Sequence, residues 1–179
     1  LESHGIKTTT GILEAEAIEL NKGFVKRMTK DRPYVTVKSA TSLDGQTALK
    51  SGESKWISSE ESRLDVQKLR ARSCAIMTGI GTVLADDPNL TVRLSNEQLG
   101  IENNIQQPKR VILDTHLRIS ASAKVLQASE DVIIYTCADK NEKFTEIENK
   151  KIEIVNTKPV NNNVDLQAIM ADLAKRGFN

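Results

Sequence analysis

The chain has 179 residues, 39% hydrophobic and 27% charged, which places it among ordinary globular domains and excludes a disordered or fibrous protein. Lys and Arg total 25 against 24 Asp and Glu, and aromatic residues make up 3%, so both the charge to grip nucleic acid or an anionic membrane and the rings to stack bases are lacking. No apolar run approaches the roughly 18 residues of a membrane span, no signal-peptide pattern opens the chain, and the separated thiols Cys74 and Cys137 suit reduced side chains buried in strands of a cytoplasmic protein.

Opening at Leu1 without an initiator methionine, the sequence reads as a piece of something longer. Residues 11–28 place Leu13, Ala17, Leu20 and Phe24 on one face, predicting a helix that packs on a neighbour. The polar stretch 29–32 precedes Pro33, which disfavours helix at the residue before it, and marks a domain junction. Residues 34–37 (YVTV) predict a short buried strand ending at Lys38, and Asp44-Gly45 a turn. Ser58 with Glu61 gives a capping-box signature for a helix to about Arg72, with Leu64 and Leu69 among its buried positions.

A strand at 73–77 then runs into the turn Thr78-Gly79-Ile80-Gly81-Thr82 and a single helical turn at 83–86, which Asp87-Pro88 stops. Three further apolar runs, 110–113, 131–135 and 152–155, predict core strands of an α/β sheet. The last segment, 164–176, repeats Leu166, Ile169, Met170 and Leu173 at helical spacing, and Gly177 supplies the stop. Residues 161–163 form a short asparagine run.

Chemistry is limited by what is missing. The histidines, His4 and His116, have no cysteine pair near them, so no zinc site at known spacings can form, and no G-x-S-x-G elbow supports a serine hydrolase. Glycines after a strand let a backbone approach a nucleotide, although an ordinary strand-to-helix turn explains Gly79 and Gly81 as well, and the third glycine of the dinucleotide fingerprint is absent. Lys38, Arg70 and Arg93 adjoin element ends where they can converge on an anion, or be merely solvated. Asp86 and Asp87 can orient a sugar hydroxyl or shape a turn, and Trp56 can lie along a cofactor or plug the core.

Three segments together are specific: VKSATSLDGQTALKSGESKWISS, QKLRARSCAIMTGIGTVLADDPNLTVR and RVILDTHLRIS, in that order and spacing. They resemble the reductase domain of bifunctional riboflavin-biosynthesis deaminase/reductases, and GILEAEAIELNKGFVKRM is similar to the end of the deaminase domain of the same proteins. The resemblance implies residues 1–30 as a deaminase tail and 33–179 as the N-terminal portion of a reductase domain. That domain would be an α/β, dihydrofolate-reductase-like fold with a mostly parallel sheet and flanking helices, incomplete at the C-terminus. The family's zinc-holding elements do not occur in this sequence, so the deaminase chemistry would belong to a portion outside it.

By the same resemblance, NADPH reduces a phosphorylated pyrimidine, 5-amino-6-(5-phosphoribosylamino)uracil, in a homodimer or larger assembly. Substrate is expected at Ser54, Arg70, Leu90 and Arg93, and NADPH at Ala40, Trp56, Ser58, Thr82, Asp86 and Thr115. Lys38 is the candidate to polarise the opened ribosyl C=N or supply its proton, with Asp86 a second candidate catalytic group. A glycine-rich loop that wraps the NADPH phosphates in the family would begin just after Asn179. The alternatives are another dihydrofolate-reductase-like NADPH reductase and a non-catalytic fragment.

Overall fold

The computed structural model describes residues 1–100, 105–127, 131–148 and 151–179. Its chain forms two compact units, residues 1–36 with 170–179, and residues 37–169.

In the first unit a 3-10 turn at Glu2–His4 precedes helices α1 (Glu14–Leu20) and α2 (Lys22–Lys30). The single helix expected over 11–28 is thus broken at Asn21, whose amide donates back to the Ala17 carbonyl at 2.9 Å. Short amide side chains compete with the helix for backbone partners in this way. Neither helix buries a residue, so the expected packing face is exposed instead, Leu20 at 86%. Gly23 is required by close approach, because a Cβ there would lie 3.0 Å from the Asn179 Cβ. Arg27 Nε donates to Asn179 Oδ1 at 2.7 Å beside it.

The strand expected at 34–37 does not form. β-branched residues favour an extended chain only where a neighbour takes up its N–H and C=O groups, and no described strand pairs with this segment. Val37 is accordingly 86% exposed.

The second unit opens with irregular chain that includes the Asp44-Gly45 turn, in which Gly45 adopts φ 80 and donates to the Ser42 carbonyl at 2.9 Å. Helix α3 (Glu60–Ala71) is capped by Ser59, whose hydroxyl accepts the Ser62 N–H at 3.2 Å, so the cap lies one residue beyond the expected Ser58. Strand β1 (Ala75–Gly79) leads into α4 (Ile80–Asp86), two turns rather than one, and the short α5 (Asn96–Leu99) follows. Then come β2 (Lys109–Leu113), α6 (Lys124–Gln127), β3 (Val132–Thr136), α7 (Glu142–Ile147) and β4 (Ile152–Asn156).

All four expected core strands form, and they pair in parallel in the order β1-β2-β3-β4, with Gly79 opposite Leu113, Leu113 opposite Tyr135 and Tyr135 opposite Val155. Strands covered on both faces read as unbroken apolar runs, and every residue of β3 is buried. Val111, Ile112 and Ile134 are fully enclosed, each contributing roughly 1.5–3 kcal/mol by burial. The α/β class and the mostly parallel sheet with helices are therefore as expected.

A two-stranded hairpin, β5 (Pro159–Val160) and β6 (Asn163–Val164), precedes the final helix α8 (Leu166–Lys175). Asn161 and Asn162 both take positive φ, 48 and 60, the requirement of a tight hairpin turn. Helix α8 starts two residues later than expected because Val164 is in the hairpin and the Asp165 carboxylate accepts the Gln167 N–H at 2.8 Å. Gly177, at φ 89, ends it as expected. Cys74 is exposed and Cys137 half-buried, so the expectation of two thiols buried in strands fails. No helix among the described residues is long and apolar enough to cross a membrane.

Candidate active site

Parallel strands aim their carboxyl ends to one edge, where ligands of open α/β sheets bind. Here that edge is a cleft of about 620 Å³ lined by Gly79, Gly81, Leu113, Thr115, His116 and Arg118, among others, with Asn163 and Val164 of the hairpin closing one side. A Cβ built on Gly79 or Gly81 would meet no atom within 4 Å, so these glycines leave space open at the strand ends, as a nucleotide cofactor would need. Thr115 follows β2, and its carbonyl accepts from the Cys137 N–H at 3.0 Å and the Thr136 hydroxyl at 3.2 Å.

A second group forms where α3 meets the segment 90–93. Arg70 donates to the Thr91 carbonyl at 3.1 Å, and the buried Gln67, one turn earlier on α3, accepts the Arg93 N–H at 3.0 Å. From the other side Gln107 brackets Val92, accepting its N–H at 2.7 Å and donating to its carbonyl at 3.0 Å. Leu90 is buried and holds a left-handed backbone at φ 54, rare for a bulky residue and characteristic of sites the surrounding structure over-determines. Burial, and then the neighbouring Arg93 charge, lower the Arg70 guanidinium from its ordinary range. No carboxylate among the described residues forms an ion pair with Arg70 or Arg93. Two adjacent cations with no counter-ion among the described residues leave their charge available to an anion.

The third group lies in the loop 42–57, around a cleft of about 680 Å³ that includes Ser54 and Trp56. Trp56 is not a core plug, since it is 72% exposed, with the Arg63 guanidinium 4.3 Å from its ring centroid. Arg63 also donates to the Ser58 carbonyl at 2.5 Å. The Ser42 hydroxyl donates to Asp44 and holds that carboxyl below its usual range.

A family model described as the RibD C-terminal domain matches residues 33–179. The chain belongs to the RibD C-terminal domain family. It is 46% identical over 132 residues to the riboflavin biosynthesis protein RibD of Escherichia coli, an overlap of 71% of this chain and 36% of that protein. To the protein of the same name from Aquifex aeolicus it is 40% identical over 161 residues, 90% of this chain and 43% of the other. Among solved structures, Acinetobacter baumannii RibD matches with a TM-score of 0.79 at 38% identity, covering 98% of this chain and 46% of that one. The chain thus spans less than half the length of these relatives.

Within this RibD C-terminal domain the residues singled out from the sequence fall into separate groups. Arg70, Leu90 and Arg93 come together through α3 and the segment 90–93. Ser54 and Trp56 share the loop cleft, and Ser58 is tied beside them through Arg63. Thr82 and Asp86 lie four residues apart on α4, both exposed, and Thr115 lines the strand-end cleft. Lys38 is exposed and Ala40 half-buried, in irregular chain that lines neither cleft. Sequence reasoning missed Gln67, Gln107 and Arg118. Glutamine carries no motif, and a buried one in a polar helix looks like a solvated one until its partner is seen.

Proposed function

We propose that this chain is part of an NADPH-dependent reductase that converts 5-amino-6-(5-phosphoribosylamino)uracil to 5-amino-6-(5-phosphoribitylamino)uracil. The observation that carries the reading is the pair Arg70 and Arg93, two adjacent cations with no described carboxylate partner, which suits a phosphorylated substrate. Supporting it, the solved Thermotoga maritima protein described as a diaminohydroxyphosphoribosylaminopyrimidine deaminase/5-amino-6-(5-phosphoribosylamino)uracil reductase is 30% identical, with a TM-score of 0.77 over 99% of this chain.

NADPH, when bound, supplies the hydride. The chain's own part is to bind and orient. Arg70 and Arg93 hold the substrate phosphate, with Ser54 and the buried Leu90 as further contacts. Thr115 and the open space at Gly79 and Gly81 receive the cofactor, with Ala40, Trp56, Ser58, Thr82 and Asp86 as its other contacts. The Lys38 ammonium polarises the opened ribosyl C=N and gives its nitrogen the proton that balances hydride arrival at carbon, with Asp86 the second candidate catalytic group. Residues 1–30 are assigned to the tail of a deaminase domain and 33–179 to the reductase. Deamination and its zinc would belong to the rest of a parent cytoplasmic protein that assembles as a homodimer or larger.

The test is NADPH oxidation by the purified protein with and without the phosphoribosylamino-pyrimidine. Substrate-dependent oxidation lost in Arg93→Ala supports the assignment, and NADPH oxidation indifferent to the pyrimidine refutes it.

A further inference from the structure

The chain between Lys38 and α3 contributes nothing to the core, every residue from 38 to 59 being exposed or half-buried. An indole in such a segment has no packed neighbours to set its direction, and Trp56, the only tryptophan of the chain, is largely exposed. What it rests on is Arg63, whose guanidinium lies 4.3 Å from the ring centroid. Among the described residues no other cation lies over this ring.

Arg63 is itself fixed at both ends. At its base the capped start of α3 sets the backbone, because the Ser59 hydroxyl accepts the Ser62 N–H at 3.2 Å and the Ser59 carbonyl accepts the Arg63 N–H at 3.2 Å. At its tip Nη1 donates to the Ser58 carbonyl at 2.5 Å, and the residue is half-buried. No carboxylate among the described residues forms an ion pair with Arg63, so its charge is not neutralised elsewhere. A guanidinium is planar and weakly hydrated, and it stacks face to face on an aromatic ring, which a lysine ammonium cannot. Anchored to helix and loop together, it gives one face of Trp56 a fixed plane, while the rest of the indole stays open at the cleft it shares with Ser54.

We propose that Arg63 is a positioning residue, which by holding Trp56 and the Ser58 carbonyl together presents the indole, already oriented, to a ring of the cofactor. The inference rests on the reductase reading, in which Trp56 and Ser58 meet NADPH. Arg63 acts through Trp56 rather than by a contact of its own, and it removes the ordering of the indole that binding would otherwise require.

Trp56 reports on its own setting, because no other tryptophan contributes to the emission. Without cofactor, Arg63→Ala makes that emission more depolarised and more readily quenched by acrylamide. Titration with NADPH, followed by quenching of Trp56, gives a Kd roughly two- to tenfold weaker than in the unaltered protein, the size expected of one cation–ring contact. KM for NADPH rises with it, while KM for the phosphorylated pyrimidine holds. Arg63→Gln, which can still donate to Ser58 but carries no charge, behaves like Arg63→Ala, and Arg63→Lys, which retains the cation, recovers part of the loss. Thermal melting confirms that the variants fold, and the glutamine and lysine variants carry the test if the alanine variant does not. In a Trp56→Ala background, Arg63→Ala has no further effect on KM for NADPH. Unchanged depolarisation and Kd in Arg63→Ala, or the same loss with Trp56 already removed, overturns the positioning role while the reductase reading stands. If the unaltered protein shows no pyrimidine-dependent NADPH oxidation, the reductase reading fails and the inference with it.

Discussion

The side-chain oxygen of Gln67 accepts the backbone N–H of Arg93 at 3.0 Å, so a buried residue of α3 fixes where a proposed phosphate-binding arginine stands. Gln67→Leu keeps the volume and removes the acceptor. We expect KM for the phosphorylated pyrimidine to rise about tenfold with kcat nearly unchanged, because a uniform binding contact is what loosens. Stability falls by about 1–3 kcal/mol for the donor left unsatisfied. Gln67→Glu, which retains an acceptor, recovers most of the KM. Steady-state kinetics beside urea unfolding test this, and a fall in kcat alone would contradict a positioning role.

In the proposed site Arg70 and Arg93 face the same anion, so their effects should be coupled. Each arginine changed to alanine raises KM by roughly ten- to a hundredfold, and the double variant loses less than the product of the two. Arg70→Ala also frees the Thr91 carbonyl and lowers stability, whereas Arg93→Ala, exposed at its side chain, leaves stability nearly unaltered. Inorganic phosphate should compete with substrate in the unaltered protein and lose that ability in the double variant. Retained competition places the phosphate elsewhere.

The parallel sheet was legible because buried parallel strands are continuous apolar runs, and those around Val111, Ile134 and Ile154 have no other reading in a chain with turns between them. The segment 34–37 has the same kind of composition and forms no strand, because a β-branched run specifies an extended backbone only when a partner strand stands beside it. Leu64 and Leu69 mislead for a related reason, since helical spacing names a face but not what covers it; both are 41% exposed, and Gln67 is the residue that α3 buries. In the site, Arg70 and Arg93 were readable as cations at element ends. Their shared scaffold through Gln67 and Gln107 was not, because it joins positions 26 and 15 residues apart.

The hairpin at the rim of the strand-end cleft depends on its two asparagines. A left-handed backbone costs most residues roughly 1–2 kcal/mol, which asparagine partly avoids and glycine avoids altogether. Asn162→Gly should therefore leave stability unchanged or slightly raised, and Asn161→Val should lower it by about 1 kcal/mol. Denaturant midpoints at constant slope decide the matter, and equal midpoints for the valine and glycine variants would mean the turn is not formed in solution.

The chain beyond α4 is tied down by Asp87, whose carboxylate accepts the Lys124 N–H at 2.9 Å and lies 3.4 Å from the Lys124 ammonium. That backbone hydrogen bond, ahead of the side-chain contact with Lys124, holds the Asp87 carboxyl below its ordinary 3.8. A depressed carboxyl stabilises the fold above its unfolded-state value and ceases to do so as pH falls through the folded-state one. Asp87→Asn should therefore melt at a lower temperature than the unaltered protein at pH 7, and the gap should close as the pH drops below the ordinary aspartate range. Melting curves from pH 7 to pH 2.5 test the sign, and a gap that persisted unchanged to the acid end would show that the Asp87 charge contributes nothing to the fold.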